Sequence, residues 1–383
     1  MTKDEGRGAQ SENDPTSRVG ADGLTSEGIA SAFVNRPSSE VKPAEAAAVN
    51  GQRSTVLQWG IGLAISVAAL ALVFWNVNLN ELVTILRQAN YWYLPPALAL
   101  ILLGQVGRAR SWQNILGPGL SFLRVLSALN IGYLVNNLLP LRLGEVGRAL
   151  LVARAQNSRP LAVLSTVAVE RMIDLCLLVG MAAAFLPLVL GFDWAQRAVL
   201  VFFGVATVGL GGLFFVARSQ ALLTRLAHAL FGRFGSLGAL IERRIDEVIT
   251  GLAVLRDPRR FLTAVFWSGL AWVSAGLSAW LLLRAFRPEA TPYEGFFVLV
   301  VSGLGIAIPA APGSIGVWQA AVVLALSVFK VNGEVALSFA VVHHFSNYAL
   351  MMALGALSLG FEGETLGHVI GQARAFMTAR ETA

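Results

Sequence analysis

Apolar and polar residues alternate on a long scale, with hydrophobic runs separated by short charged segments. Six runs approach or exceed the roughly 20 residues with which a helix crosses a bilayer. They cover residues 57–76, 91–105, 161–192, 198–216, 261–283 and 335–359. Aromatic residues mark their ends, as Trp59 and Trp75 do for the first run, which is typical of the membrane–water interface. The pattern predicts an all-α, polytopic integral membrane protein.

Two further apolar stretches are interrupted by Pro and Gly, at residues 136–148 (NNLLPLRLGEVGR) and 303–319 (GLGIAIPAAPGSIGVWQ). Non-helical backbone at membrane depth requires protein or a water-filled cavity to satisfy its amides and carbonyls. One break in each half of a chain is typical of a transport-type binding site. We therefore predict about six to eight transmembrane helices with two re-entrant hairpins. An inverted repeat of the two halves stays a hypothesis. The alternative for both hairpins is that each is an ordinary short transmembrane span.

Composition excludes an ordinary soluble protein. The chain is 55% hydrophobic and 14% charged, with a mean hydropathy of +0.64, far from soluble averages. Its single cysteine, Cys176, excludes an intramolecular disulfide and a cysteine-based zinc cluster. The isoelectric point is near 10, but the basic residues lie between the apolar runs. They favour a membrane surface over nucleic acid as partner.

Charge and polarity also divide the chain. Residues 1–53 are polar, with eight acidic and six basic residues, and are predicted to be a disordered cytoplasmic tail without the features of a signal peptide. Residues 54–360 form the predicted transmembrane domain, in which 218–260 is a basic, amphipathic cytoplasmic connector. Residues 361–383 are a short cytoplasmic tail. Arginine-rich loops place both termini in the cytoplasm of a multi-pass plasma (inner) membrane protein, with the two hairpins entering from opposite sides.

The first break carries three charged residues at spacings of three, namely Arg142, Glu145 and Arg148. A helix that begins near Leu143 would offer its N-terminal amides and two guanidinium groups to an anion. Arginine suits phosphate because its planar fork binds two oxygens. Glu145 could orient an arginine or meet a cationic headgroup. The alternative is an interfacial loop whose charges face the cytoplasm and anionic lipid.

A second charged group, Glu170, Arg171 and Asp174, lies near the start of a long apolar run. Glu170 and Asp174 share one helix face, and Arg171 is three residues from Asp174. Ionisable residues within a span are functional candidates. The cluster could equally be structural and hold this helix against the first hairpin.

The second break is predicted to form a gate. Proline interrupts helical hydrogen bonding and glycine permits close approach or positive φ, so exposed amides there could bind an anion. The alternative is a tight turn between two short helices. The residues concerned are Pro309, Pro312, Gly313, Gly316 and Gln319.

The last run contains a polar group formed by His343, His344 and Asn347, followed by Tyr348. Interhelical hydrogen bonding is the favoured interpretation, and a polar relay for protons or headgroups is the alternative. No cysteine or carboxylate clusters beside the histidines, so no metal site is predicted.

Three motifs together resemble the lysylphosphatidylglycerol-synthase transmembrane-domain family, whose members are described as flippase-like. They are NNLLPLRLGEVGRALLVAR (136–154), VERMIDL (169–175) and PAAPGSIGVWQAA (309–321). The chain departs from the family motif at Gln319, where an acidic residue is expected. Some members carry a cytoplasmic aminoacyl-transferase domain, which the short segment after the last run is not expected to accommodate.

The resemblance implies a lipid translocase that moves or handles a polar-headgroup lipid, such as a phospholipid, an aminoacyl-phospholipid or a prenyl-phosphate-linked molecule. A membrane-embedded transferase, with Glu170 or Asp174 as base, and a non-catalytic scaffold of a lipid or glycan biosynthetic complex are the alternatives. No catalytic residues, cofactor or metal are assigned. Membrane lipids are the expected partners, together with a separate lipid- or glycan-modifying enzyme. No P-loop is present, so ATP-driven transport is not expected.

Overall fold

The described part of the chain contains helices and no strand, which confirms the predicted all-α class. The computed structural model describes residues 60, 63–75, 77–139, 143–190, 193–231, 233, 235–305 and 311–381. The helices are α1 (Leu63–Phe74), α2 (Leu79–Gln88), α3 (Leu94–Leu116), α4 (Phe122–Leu138), α5 (Leu143–Ala155), α6 (Pro160–Leu190), α7 (Asp193–Arg218), α8 (Gln220–Phe231), α9 (Ser236–Gly251), α10 (Pro258–Leu283), α11 (Pro292–Gly305), α12 (Val317–Ser327), α13 (Gly333–Glu362) and α14 (Leu366–Glu381). The predicted tail at 1–53 and the predicted site residues Arg142 and Pro309 lie outside the described residues.

Among the described helices, α10 and α13 are long and apolar enough to cross a membrane. The number is up to four if each of two bent pairs is counted as one span: α1 and α2 meet at 85°, and the Phe203–Arg218 part of α7 meets α8 at 82°. These findings support a membrane protein with transmembrane helices. The total of six to eight spans and the re-entrant course of the hairpins stay predictions.

Helices α3 and α10 make the most extensive pairing, and small residues allow it. A Cβ at Gly107 would lie 2.9 Å from the carbonyl oxygen of Trp267. The hydroxyl groups of Ser111 and Ser268 are 2.9 Å apart within the same interface. Close backbone approach with hydroxyl contacts is how helices associate in lipid, where no hydrophobic force drives them together.

Helix α6 connects the two main apolar clusters of the protein. Its Val169 and Ile173 pack in the cluster around Trp112. One to two turns later, Leu178 joins the cluster around Phe297. The charged segment 170–174 therefore lies where the two clusters meet, on a helix held from both sides.

The first break separates α4 from α5, which cross closely. A Cβ at Gly144 would lie 1.9 Å from the carbonyl oxygen of Gly132, so only glycine fits this crossing. The Asn136 side chain accepts a hydrogen bond from the amide of Gly144 at 2.8 Å, which satisfies one of the donors at the start of α5. The predicted helix start near Leu143 agrees with the structure.

The basic connector forms a helical hairpin, α8–α9, that is docked on α6. A Cβ at Gly251 would lie 2.0 Å from the carbonyl oxygen of Ala162. The buried Glu247 contacts three arginines within 3.7 Å. Helix α14 packs in turn on α5, where Val369 lies against Gly147. The hairpin is therefore packed on α6, and α14 is packed on α5, the helix that follows the first break.

Candidate functional site

Six charged side chains from three helices form one contact network beside the first break. They are Arg108 on α3, Glu145 and Arg148 on α5, and Glu170, Arg171 and Asp174 on α6. Three positive and three negative groups balance one another. The two charged motifs of the sequence, about 20 residues apart, are thus brought together, as a chain reversal between consecutive helices α5 and α6 allows.

The deepest members are Arg148 and Glu170, whose side chains are 3% and 2% exposed. Arg148 Nη2 lies 2.8 Å from Glu170 Oε2. The guanidinium also lies 4.4 Å from the ring centroid of Trp112, and Trp112 donates its indole N–H to Thr166 at 3.1 Å. Two desolvated charges persist only when they compensate each other, so this pair holds α5 against α6.

Arg171 is shared among three carboxylates. Its nitrogens lie 3.3 Å from Glu170, 3.6 Å from Asp174 and 3.7 Å from Glu145. Long, divided contacts of this kind leave guanidinium donors that are not saturated by one partner. The side chain is 35% exposed, which makes Arg171 the most accessible cation of the network.

Asp174 has two partners that the sequence analysis did not assign. Arg108 Nη1 donates to it at 3.1 Å, and the Trp272 indole N–H donates at 2.9 Å. Arg108 also lies 5.5 Å from the Trp272 ring centroid. The predicted second span ended at Gln105, whereas α3 continues to Leu116. The longer helix could have been predicted from the sequence, because no Gly or Pro lies between Gly107 and the GPG sequence at 117–119.

The anion site expected at Arg142, Glu145 and Arg148 stays a prediction, and the structure describes the surroundings of the last two residues. Arg148 is almost fully buried 2.8 Å from the Glu170 carboxylate, and the Gly144 amide donates to the Asn136 side chain. Arg171 and Arg108 are the more accessible cations of the network, with side chains 35% and 22% exposed. Glu145, which is 24% exposed, is the accessible carboxylate. The accessible rim therefore carries both signs and suits a phosphate or a zwitterion.

The second break carries no charged residue, and three of its described amides are hydrogen-bonded within the protein. Ala311 N–H donates to the Ser66 hydroxyl on α1 at 2.9 Å, and Gly316 N–H donates to the Gln319 side chain at 2.7 Å. The Ser314 amide bonds the Ala311 carbonyl. Gly313 and Gly316 adopt φ values of 71° and 92°, where glycine is favoured. These three amides therefore have partners within the protein, and the predicted gate stays a prediction.

Helices α12 and α13 place the predicted histidine pair beside this turn. His343 stacks on Trp318 with a 5.2 Å centroid distance, and His344 meets the same ring edge-on at 5.0 Å. The Gln319 amide nitrogen lies 3.2 Å from His344 Nδ1. Because the Gln319 oxygen already accepts from Gly316, its NH₂ group donates to Nδ1. Asn347 is half-buried one turn later.

The two breaks meet through Tyr348. Its hydroxyl donates to the carbonyl of Asn137, near the end of α4, at 3.1 Å. Its ring covers Gly313, where a Cβ would lie 2.9 Å from a ring carbon. The Pro312–Ser314 turn also contacts α4 directly. One side chain thus joins the last turn of the first broken element to the turn of the second.

The comparisons with known proteins agree with the resemblance carried by the three motifs. The family described as lysylphosphatidylglycerol synthase TM region matches residues 59–355. The glycosyltransferase AglD of Haloferax volcanii is 24% identical over 334 residues, which cover 78% of this chain and 53% of that protein. This chain therefore spans about half the length of that relative.

Two further relatives are UPF0104 membrane proteins. That of Pyrococcus horikoshii is 22% identical over 293 residues, covering 70% of this chain and 87% of the relative. That of Methanothermobacter thermautotrophicus is 25% identical over 321 residues, covering 80% and 93%. No solved structure matches. Because the family match extends over well more than half of its residues, the chain belongs to the family of the lysylphosphatidylglycerol synthase TM region.

Proposed function

We propose that this membrane protein translocates or otherwise handles a polar-headgroup lipid, and that the headgroup binds at the accessible rim of the charged network. The observation that carries the proposal is Arg171, a partly exposed cation divided among three carboxylates within a membrane protein. Ionisable groups at such positions are costly in lipid unless they serve a polar ligand or one another. Here the charged groups contact one another. We propose that Arg171 also contacts a polar ligand.

Partner exchange is the proposed binding step. A lipid phosphate takes the place of Glu145 on Arg171, where the existing contact is 3.7 Å, the longest of the three. Arg108 adds a second guanidinium from α3 without leaving Asp174. Glu145, once released, is available to a cationic group such as ethanolamine or an aminoacyl ester. The network therefore accepts a zwitterion with little change in net charge, which limits the desolvation penalty.

The second break is proposed to be the opposing wall of the pathway. It is neutral, and Tyr348 connects it to Asn137 at the end of α4. Opening a path between the breaks requires this hydroxyl–carbonyl bond to break, at a net cost of about 0.5–1.5 kcal/mol. A barrier of this size is compatible with repeated opening, and acyl or prenyl chains remain in the lipid.

A transferase acting on a lipid-linked substrate is the second candidate, because one relative is named a glycosyltransferase. In that case Glu170 or Asp174 would act as base. Each of these carboxylates already contacts a guanidinium, so a base role needs a rearrangement that the headgroup role does not. We also propose a plasma-membrane location with both termini in the cytoplasm, from the arginine-rich loops, and a separate lipid- or glycan-modifying enzyme as partner.

The test is leaflet exchange in proteoliposomes. The probe is phosphatidylglycerol with a fluorophore on one acyl chain, so that the headgroup is intact, and dithionite quenches the outer leaflet. Arg171→Gln and Arg108→Gln are expected to slow exchange at least tenfold, because each removes a cation from the rim. Arg110→Gln is the matched control, since Arg110 lies on α3 but contacts Gln113 and Phe122 outside the network.

Two outcomes would overturn the translocase proposal. The first is no exchange by the wild-type protein with phosphatidylglycerol, its lysyl ester, phosphatidylethanolamine or a prenyl phosphate. The second is equal exchange by the Arg171 and Arg110 variants. Turnover of a lipid-linked sugar in detergent that is lost in Asp174→Asn would instead establish the transferase.

A further inference from the structure

Helix α8 carries a row of exposed leucines that the proposed function does not use. Leu222, Leu226 and Leu230 are 49%, 47% and 59% exposed. Their spacing of four places them on one face of the helix. Thr224 and His228 lie away from this face, and His228 pairs with Glu242 of α9 at 3.0 Å. The helix is therefore amphipathic, with its apolar face turned away from the protein.

The direction of α8 relates this face to the bilayer. The Phe203–Arg218 part of α7 and α8 meet at 82°. Large apolar side chains along α7, such as Val208 and Phe215, are 75% and 58% exposed, as expected for a lipid-facing helix. When α7 follows the membrane normal, α8 lies nearly parallel to the membrane plane. At 12 residues it is about 18 Å long, too short to cross the roughly 30 Å hydrocarbon core.

Two exposed arginines lie at the bend between the helices. Arg218 and Arg256 line one hollow together with Gln220, Ala221 and Thr224. Arg256 is held in place by hydrogen bonds to the Ala217 carbonyl at 2.6 Å and to the Gln220 side chain at 2.9 Å. Arg218 lies over the ring of Phe214. Positive charge at this level complements the phosphates of anionic lipid.

We infer that α8 is an interfacial helix that binds the surface of an anionic phospholipid bilayer. Its leucine row enters the acyl-chain boundary, and Arg218 and Arg256 contact headgroup phosphates at the bend. The occupant is bilayer lipid because the leucine row is exposed like the large apolar side chains of the adjoining α7, and positive charge lies at the bend between the two helices. Such helices combine buried apolar area with attraction to anionic lipid. The site is separate from the charged network and does not depend on the proposed function.

Helix α9 supports this arrangement from the protein side. The close contact of Gly251 with Ala162 and the ion pairs of the buried Glu247 fix α9 on α6. Helix α8 packs on α9 and on the end of α7. The leucine row is therefore presented by a docked hairpin, so it meets the bilayer at one defined level beside α7.

The test measures the depth of single spin labels in the full-length protein. Leu226→Cys and the matched control His228→Cys are labelled in a Cys176→Ser background, because Cys176 is the one native cysteine. The proteins are reconstituted into phosphatidylglycerol–phosphatidylethanolamine vesicles. We expect the label at position 226 to be several-fold more accessible to oxygen relative to a water-soluble nickel chelate than the label at 228.

Either of two results would overturn the inference. Equal chelate accessibility at 226 and 228 would mean that the leucine row faces water. Spin–spin broadening at 226 that disappears on dilution with unlabelled protein would mean that a second copy covers it. Variants that lose helicity are replaced by Leu222→Cys and Leu230→Cys, for which the same results are expected.

The proposed contact between Arg218 and headgroup phosphates is tested by Arg218→Gln. In phosphatidylglycerol vesicles, this change is expected to make the label at position 226 more accessible to the nickel chelate. In phosphatidylcholine vesicles, the depth of the label is expected to stay unchanged. An equal effect of Arg218→Gln in both lipids would contradict a role for anionic headgroups. If the leucine row stays immersed in both lipids, the arginine contact is contradicted and the apolar contact alone is supported.

Discussion

The two chain breaks satisfy the same physical requirement with opposite chemistry. Around the first break, the Asn136 side chain caps the start of α5, and the buried Arg148–Glu170 pair holds α5 on α6. Around the second, Ser66 and Gln319 accept from backbone amides and no described residue of the turn is charged. Backbone that leaves the helix in a membrane must be bonded internally, and these amides in the described parts of the two breaks are bonded in this way.

The difference concerns what each break can respond to. A network of paired charges can exchange one partner for a charged ligand, so the first break suits recognition of a headgroup. A neutral turn held by amide and hydroxyl groups gains little from an ion, so the second suits packing and movement. The contact of Tyr348 with Asn137 makes each break sensitive to the position of the other.

The largest expected effect comes from removing one charge of the buried pair. Glu170→Gln keeps the shape of the side chain but leaves Arg148 uncompensated, and breaking a buried pair in this way costs about 3–5 kcal/mol. The free energy of unfolding in mixed detergent–SDS micelles measures the effect. Arg154→Gln is the control, because its pair with Glu364 is partly exposed and is expected to be worth less than about 1 kcal/mol.

The comparison also predicts compensation. Arg148→Met combined with Glu170→Leu removes both buried charges and should recover most of the stability lost by Glu170→Gln, since apolar replacements of a buried pair are often neutral. Leaflet exchange should persist in this double variant, because Arg171 and Glu145 are retained. A double variant as unstable as Glu170→Gln would show that the pair has a specific structural role beyond charge balance.

The next effect is steric and belongs to the second break. Gly316 has φ 92°, and a Cβ there would lie 2.4 Å from the carbonyl oxygen of Ser66. Gly316→Ala should therefore destabilise by at least about 1–3 kcal/mol, the range for a non-glycine residue held in a sparsely populated conformation. Gly204→Ala on α7 is the control, because nothing lies within 4 Å of its Cβ position. Equal unfolding free energies for the two variants would contradict the described turn.

These helices could be located from the sequence, whereas the contacts between them could not. The predicted run 161–192 corresponds to α6 at Pro160–Leu190, and the predicted break at 136–148 contains the end of α4 at Leu138 and the start of α5 at Leu143. Both follow from local signals, namely sustained apolarity and Pro or Gly at the ends. The charge spacing on α6 likewise predicted the contact between Arg171 and Asp174, which is 3.6 Å.

Arg108 shows that local sequence signals carry no information about distant contact partners. A charged residue at the end of an apolar run is ordinarily a loop residue, so Arg108 was predicted to follow the second span. In the structure it lies within α3, because Asp174, 66 positions later, compensates its charge, and Trp272 covers it. Partners this distant leave no pattern in a single sequence. The bond between Ser66 and Ala311 across the second break has the same character.

A smaller effect is expected at Gln319, and it sharpens the contrast between the breaks. Gln319→Leu leaves the Gly316 amide without an acceptor in a buried site, which costs about 1–3 kcal/mol. Gln319→Glu retains the acceptor and should be the milder change. When the new carboxyl is ionised, its second oxygen faces His344 Nδ1 and requires a proton on that nitrogen. Nitrogen chemical shifts of labelled histidine would report the protonation of Nδ1, and an unchanged Nδ1 signal at a pH where the carboxyl is ionised would contradict the assigned contact.

The smallest expected change in stability is also the most direct test of the connection between the breaks. Tyr348→Phe removes one hydroxyl and keeps the ring over Gly313, so it should cost about 0.5–1.5 kcal/mol. Tyr91→Phe is the matched control, because Tyr91 donates to the nearby Leu86 carbonyl in an exposed, local bond. If the Tyr348–Asn137 bond holds the breaks together, its loss should accelerate leaflet exchange although the protein is slightly less stable. The Tyr91 variant should exchange lipid at the wild-type rate. Equal rates for the two variants would mean that the breaks move independently, and the headgroup pathway would then have to lie along the first break alone.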